Sequence, residues 1–226
     1  MELVTYADAE LMMIEVAQRL AGELRQALQG AARASIAVPG GATPGPVFDS
    51  LCAADLEWGR VSVLPTDERW VPDGSPRSNA RLLRERLLVA RAAAATLVPL
   101  AAPGPASAPD EDALAALAAA VAPVLPLDTC LLGMGEDMHV ASIFPGADRL
   151  AEALGGDGIL VPMRAPGAPE PRVTLSAAVL RGAIRRHLLI VGARKREALE
   201  RARALPPEEA PVAAILKGTT VHWAEG

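Results

Sequence analysis

Short apolar runs that each end in a glycine-rich or charged turn, with helical spacing after the turn, leave this chain few architectures. Ser35–Val38, Val61–Leu64, Thr129–Leu132 and His187–Gly192 are runs of this kind. They read as strands buried on both faces. Their alternation with amphipathic, helix-length segments points to a parallel sheet covered by helices. The expected fold is therefore α/β: a single three-layer domain over residues 1–226, with a mostly parallel, Rossmann-like open sheet between helices. Aromatic residues make up only 3% of the chain against 51% hydrophobic residues, so the core should be aliphatic, with Ala-rich helices packed close.

The helix boundaries are marked by side chains that cap them. Asp8 opens the first helix, over Asp8–Leu28, whose inward face is read as Leu11, Ile14, Ala17, Ala21, Leu24 and Leu28. Ser78 or Asn79 caps a helix carrying Leu82, Leu83, Leu87 and Leu88; Asp110, Glu111 and Asp112 open another; Ser176 caps a third. Thr96–Leu100, Ile159–Pro162, Pro171–Ser176 and Thr219–Trp223 read as further strands. The stretches Ala101–Pro109 and Ala165–Pro171 read as surface loops inside the domain.

Charge and cysteine usage remove several classes of function. The net charge is −5 and no basic patch is interleaved with aromatic residues, so no nucleic-acid partner is expected. Cys52 and Cys130 lack metal-ligand spacing with a histidine and suggest a reducing compartment, with no metal and no disulfide framework. No apolar run is long enough for a membrane span, and Met1–Val4 has no basic flank. The expected localisation is cytoplasmic, with no membrane partner.

In an open α/β sheet, ligands sit just beyond the carboxyl ends of the strands. After Thr129–Leu132 come Gly133-Met134-Gly135-Glu136-Asp137-Met138-His139. His139 is the centre of the candidate chemistry, with Asp137 beside it; the plainer alternative is a histidine that caps the next helix. After Ser35–Val38 come Pro39-Gly40-Gly41-Ala42-Thr43-Pro44. This strand, glycine turn and helix start can bind an anion, with Thr43 adding a hydroxyl and a cap, or can be a plain connection. After Val61–Leu64 come Thr66-Asp67-Glu68-Arg69-Trp70. Asp67 or Glu68 could meet sugar hydroxyls and Arg69 a phosphate. Lys195, one of only two lysines, follows the strand His187–Gly192 at a helix start, where the helix dipole disfavours a cation unless an anion binds there. His187 and His222 read as structural.

Together these segments resemble the 6-phosphogluconolactonase family. Pro39–Pro44, Asp67-Glu68-Arg69-Trp70-Val71-Pro72 with Ser78-Asn79, Gly133–Gly146, Arg172-Val173-Thr174-Leu175 and Gly192-x-x-Lys195 match in order and spacing over nearly the whole chain. The resemblance implies one α/β domain and no cofactor. It implies hydrolysis of 6-phospho-D-glucono-1,5-lactone to 6-phosphogluconate in the pentose phosphate pathway. It assigns His139 as the base, and Gly40, Gly41, Ala42, Thr43, Arg69, Arg172 and Lys195 to holding the phosphorylated substrate. The partner is then a sugar-phosphate lactone, and the chain is expected to act as a monomer or weak homodimer. The family usually has Gly where Met138 stands, Thr at Val140 and Ser at Ala42. The expectation is that Met138 has an ordinary negative φ, with Gly135 carrying the turn.

The corresponding mechanism has neutral His139 taking a proton from the attacking water. Asp137 orients the ring and backbone N–H groups at Gly133 and Gly135 hold the oxyanion. A sugar-phosphate isomerase or deaminase using Asp67 is the alternative within the superfamily. A non-catalytic sugar-phosphate-binding module is the alternative outside catalysis.

Overall fold

Each strand of the main sheet sends alternate side chains into two different cores, and that alternation fixes the layers. The computed structural model describes residues 1–101, 108–165 and 168–226. The loop readings at Ala101–Pro109 and Ala165–Pro171 bear on residues 102–107 and 166–167, which lie outside the described residues. In chain order the elements are β1 (Glu2–Thr5), α1 (Ala9–Gly30), β2 (Ala34–Val38), α2 (Gly45–Leu51), β3 (Val61–Pro65), β4 (Asp67–Arg69), α3 (Asn79–Arg86), β5 (Thr96–Leu97) and α4 (Glu111–Val121). They continue with β6 (Thr129–Gly133), α5 (Leu150–Gly155), β7 (Leu160–Met163), β8 (Arg172–Leu175), α6 (Ala177–Gly182), β9 (Arg185–Val191), α7 (Ala193–Ala202) and β10 (Thr219–Ala224). Ile36, Leu131 and Leu189 face the core built with α1, α2 and α3. Their neighbours Ala37, Cys130, Leu132, Leu188 and Ile190 face the core built with α4, α6 and α7. This is the period of two expected of strands buried on both sides.

The seven-stranded sheet runs β1-β10-β9-β6-β2-β3-β5, and its pairings are parallel. From β2 the chain moves outward to β3 and β5. It then returns to β6 on the other side of β2 and moves outward again to β9 and β10. The direction reverses between β2 and β6. Loops leaving these two strands therefore diverge and leave a crevice at their carboxyl ends. The α/β expectation holds.

Three readings of the sequence need correction. The segment after β3 is not simply a charged loop, because Asp67–Arg69 forms β4, which pairs antiparallel with β8, itself paired antiparallel with β7, in a second, three-stranded sheet. Glu2–Thr5, unassigned in the sequence, forms β1 and pairs with β10 at the sheet edge. Asp8 caps α1 as expected, accepting from the Leu11 N–H at 2.8 Å, and Ala17, Ala21, Leu24 and Leu28 are buried as expected, but the start of the inward face differs. Met12, Met13, Val16 and Leu20 are buried, while Leu11 and Ile14 are 42% and 40% exposed. The apolar stripe is wider than the contact it makes, so periodicity alone does not choose its centre.

Under α1 lies a buried chain of polar groups. Thr129 Oγ1 donates to Glu23 Oε2 at 2.8 Å, and His187 Nε2 lies 3.0 Å from both Glu23 oxygens. His187 Nδ1 is 3.0 Å from His222 Nε2, and His222 Nδ1 is 2.7 Å from the Tyr6 hydroxyl. One assignment satisfies every contact with both rings neutral: each histidine carries its proton on Nε2, and Tyr6 donates to His222. The structural reading of both histidines fits this arrangement. Burial, reinforced by His187 and Arg19, pushes the His222 imidazole down to about 3. Glu23 is held below its ordinary value. Burial raises it, but His187, Thr129 and Arg185 together outweigh burial.

Between about pH 6.5 and 3 the unfolded chain therefore binds a proton at His222 that the folded chain excludes, and stability falls as pH falls through this window. At about 1.4 kcal/mol per unit, His222 alone contributes a loss of about 2 kcal/mol between pH 8 and pH 5. Denaturant unfolding of wild type and His222→Asn at both values measures it. The variant should lose correspondingly less stability, and equal losses would show that His222 is not the group responsible.

Candidate active site

The crevice between the ends of β2 and β6 is a cavity of about 260 Å³, lined by Gly40, Gly41, Thr43, Asp67, Arg69, Gly133, Gly135, His139, Arg172 and Lys195, with Asn79, Ala141 and Leu189 among the others. Ten of the twelve residues expected at the site line one cleft. Asp137 stands behind His139, and Ala42 is exposed outside the cleft, its carbonyl taken by the Gly45 N–H at 3.1 Å.

The catalytic candidate is a pair. Asp137 Oδ1 lies 2.6 Å from His139 Nδ1 and also accepts the His139 backbone N–H at 3.2 Å. The ring is thereby tied at Nδ1, and Nε2 has no partner among the described residues. Burial tends to raise the Asp137 carboxyl. The hydrogen bond and charge of His139 outweigh that, so Asp137 is held below its ordinary value, as an acceptor for the ring.

The local fold explains how the pair meets. A turn is closed by Met138 N–H to Gly135 O at 3.0 Å, and Gly135 N–H donates to His139 O at 3.2 Å. The expectation for this turn is overturned on both counts. Met138 has φ 67°, and Gly135 is not among the left-handed residues. The chain reverses at the exit of the turn, which is Met138, where a left-handed residue lets the backbone rejoin the facing segment. That accounts for the Gly usual in the family. Gly135 is required for space instead. A Cβ there would lie 2.3 Å from both Asp137 Oδ1 and His139 Nδ1. Because the Gly135 N–H is committed to His139 O, it is not free for an oxyanion as the structure stands.

The left-handed backbone at Met138 is tested by comparing Met138→Gly with Met138→Ala. Both remove the same side-chain packing, so their difference isolates the backbone. Met138→Gly should be more stable than Met138→Ala by about 1 kcal/mol in denaturant unfolding, since only the Ala Cβ is strained at positive φ. The opposite order would mean that the turn is not left-handed in solution.

The β2–α2 connection binds differently from a helix N-terminus. α2 has only seven residues, Thr43 does not cap it, and Pro44 occupies the cap position without a side-chain hydrogen bond. The Gly45 N–H is used by Ala42 O, and Pro44 and Pro46 have none. The backbone N–H groups of Gly41, Ala42 and Thr43 have no partner among the described residues. An anion here would be held by loop N–H groups, without help from the helix dipole. Gly40 has a separate reason to be glycine: a Cβ would lie 1.9 Å from the Asn79 side-chain oxygen.

The second sheet brings the cations together. In the β4–β8 register Arg69 lies opposite Arg172 and Asp67 opposite Thr174. Like charges directly opposite are destabilising unless something negative lies between them. The Nε groups of both arginines are buried without a hydrogen-bond partner. Burial pulls the Arg172 guanidinium below its ordinary value, Asp67 opposes this, and Arg69 adds to it. Asp67 is 3.8 Å from Arg172 and accepts Ser142 Oγ at 2.6 Å. Lys195 enters the cleft from the first turn of α7 with no ion pair among the described residues.

Glu68, weighed with Asp67 as a ligand for sugar hydroxyls, does something else. It is buried and accepts backbone N–H groups of Asn79 and Ala80 at 2.7 Å each and of Arg69 at 2.8 Å, plus Ser78 Oγ. Burial raises its carboxyl, and these N–H groups only partly pull it back. It anchors the start of α3. Three residues of the site region had no role at the cleft assigned from sequence. Asn79 donates from Nδ2 to Asp67 O at 2.7 Å, Ser142 donates to Asp67, and Phe144 packs on His139. The Ser78-Asn79 pair was visible as a motif, but only the second sheet places it at the cleft. Among the described residues, no group of three His, Cys, Asp or Glu side chains is placed to hold a metal ion.

A family model described as glucosamine-6-phosphate isomerases/6-phosphogluconolactonase matches residues 7–223. The chain belongs to this family. Among curated relatives, a 6-phosphogluconolactonase of Mesorhizobium japonicum is 41% identical over 229 residues, covering 97% of this chain and 93% of the relative. One from Rhizobium meliloti is 40% identical, covering 96% and 94%. The crystal structure of a 6-phosphogluconolactonase from Shewanella baltica superposes with a TM-score of 0.93 at 29% identity, covering 99% of this chain and 97% of the other. No helix among the described residues is long and apolar enough to cross a membrane.

Proposed function

We propose that this enzyme is a carboxylic ester hydrolase, a 6-phosphogluconolactonase, which converts 6-phospho-D-glucono-1,5-lactone to 6-phospho-D-gluconate with His139 as the general base. The observation that carries the reading is the pairing, in one cleft, of the tethered His139 with the facing Arg69 and Arg172, whose Nε groups are buried without a hydrogen-bond partner. The names of the relatives support the same substrate.

In this reading His139 Nε2 removes a proton from water as the oxygen attacks C1 of the lactone. Asp137 holds the ring by Nδ1 and favours the imidazolium that forms. The tetrahedral intermediate collapses with cleavage of the bond from C1 to the ring oxygen. The imidazolium returns its proton to that oxygen, giving the open-chain acid. With the Gly135 N–H engaged, Gly133 remains the backbone candidate for the oxyanion, and the positive charge of the cleft assists it. Arg69, Arg172, Lys195 and the loop of Gly40, Gly41 and Thr43 hold the phosphorylated end, fixing C1 against the base.

The test is hydrolysis of freshly generated 6-phosphogluconolactone, with spontaneous opening subtracted, beside deamination of glucosamine 6-phosphate. Turnover of the lactone alone is expected. Turnover of the amino sugar alone would replace this reading with the deaminase chemistry that the superfamily also contains.

A further inference from the structure

Residues 142–144 touch both halves of the cleft without lining it. Ser142 donates its Oγ–H to Asp67 and its backbone N–H to Thr174 Oγ1 at 3.2 Å, and Arg172 Nη1 donates to Ser142 Oγ at 3.4 Å. Two residues on, the Phe144 ring lies 4.2 Å from the His139 ring, centroid to centroid, with 33° between their planes. The Arg172 guanidinium carbon lies 5.7 Å from the centre of that same phenyl ring. One aromatic side chain therefore contacts both the candidate base and the candidate anion clamp.

A single hydrogen bond at Nδ1 does not hold an imidazole still. The torsion that turns the ring is soft, and the ring can swing about its bond to Asp137. A planar group against one face removes that freedom. It also presents its π-face to the positive charge that His139 gains when it takes the proton. Arg172 is fixed against Phe144 in turn. We propose that Phe144 is a positioning residue that holds the His139 ring and the Arg172 guanidinium in one spatial relation, so that C1 of a substrate held by its phosphate meets the Nε2 of His139. This rests on the reading of His139 as base given above. It goes beyond that reading by assigning a role to a residue that does not line the cleft.

Phe144 is half-buried and packs against the larger core, so loss of structure must be separated from loss of positioning. Phe144→Leu keeps apolar bulk and removes the flat face; Phe144→Tyr restores the face. With melting curves as the control, Phe144→Leu should lower kcat by about tenfold or more, because small misplacements of a base are costly, while KM changes less than about threefold. Phe144→Tyr should keep kcat within about threefold of wild type.

A direct readout comes from the ring protons of the histidines, of which the chain has three. The His139 Cε1–H resonance should move in Phe144→Leu as the ring current is lost, while those of His187 and His222 stay in place. Phe144→Met provides the same comparison if Phe144→Leu does not fold. An unchanged kcat and an unmoved His139 resonance in a folded Leu or Met variant would overturn the proposal alone. A wild-type protein without lactone turnover would instead overturn the assigned reaction, and this inference with it.

Discussion

His139→Ala is expected to lower kcat for 6-phosphogluconolactone hydrolysis by about a hundredfold to ten-thousandfold, the usual worth of a general base. The melting temperature should stay near that of wild type. His139 sits in a loop at the mouth of the cleft with 29% of its side chain exposed, and its ring packs on the half-buried Phe144. Removing it frees Asp137, which is itself half-exposed and can be solvated. Asp137→Asn should have a smaller effect in the same direction. It keeps the turn but weakens the hold on Nδ1 and the stabilisation of the imidazolium. Because the lactone also opens spontaneously, initial rates at several enzyme concentrations are needed. A folded His139→Ala protein with wild-type kcat would remove His139 from the mechanism and leave the base to be found elsewhere.

Arg172→Lys is expected to lower kcat/KM for the phosphorylated lactone by about tenfold to a hundredfold, while activity on unphosphorylated glucono-1,5-lactone stays within about threefold. Lysine keeps a positive charge near the buried Asp67 carboxylate, so the variant avoids stranding an unpaired anion. It loses the planar fork that can bind two phosphate oxygens at once, and with it the Nε that lacks a partner in the free protein. A hydrogen bond between charged groups is worth about 1.5–3 kcal/mol, which sets the expected range. The unphosphorylated substrate isolates the phosphate contribution. Equal losses on both lactones would mean that Arg172 supports the base or the fold and does not read phosphate.

Much of this site was legible in the residues because its parts lie at strand ends. Gly40, Gly41, Asp67, Arg69, Gly133, Gly135, His139 and Lys195 each lie in the turn that follows an apolar run, and the parallel topology gathers strand ends on one side. Arg172 was legible only as a member of a motif, because it opens its strand and belongs to the second sheet. The choice between Asp67 and Glu68 stayed open because composition cannot say which of two adjacent carboxylates points inward. In a strand, neighbours face opposite ways, so Asp67 faces the cleft and Glu68 faces the start of α3. Met138 misled for a different reason. A residue's own preference argued for negative φ, and the closed turn with its bond from Val212 N–H to Met138 O at 3.0 Å imposed the opposite.

The amino-acid sequence by itself determined the α/β class, the strands of the main sheet other than β1, and the side of that sheet where chemistry gathers. These follow from hydrophobic period, caps and glycine-rich turns, all of them local properties read along the chain. Only the tertiary structure decided that Arg69 faces Arg172, that Gly135 is needed for room rather than for its φ, and that Phe144 packs on His139. It also decided that His187 and His222 join Glu23 and Tyr6 in a buried line. Each of these is a contact between segments, set by register, by the space between side chains and by the burial of charge. None has a counterpart in the order of residues alone.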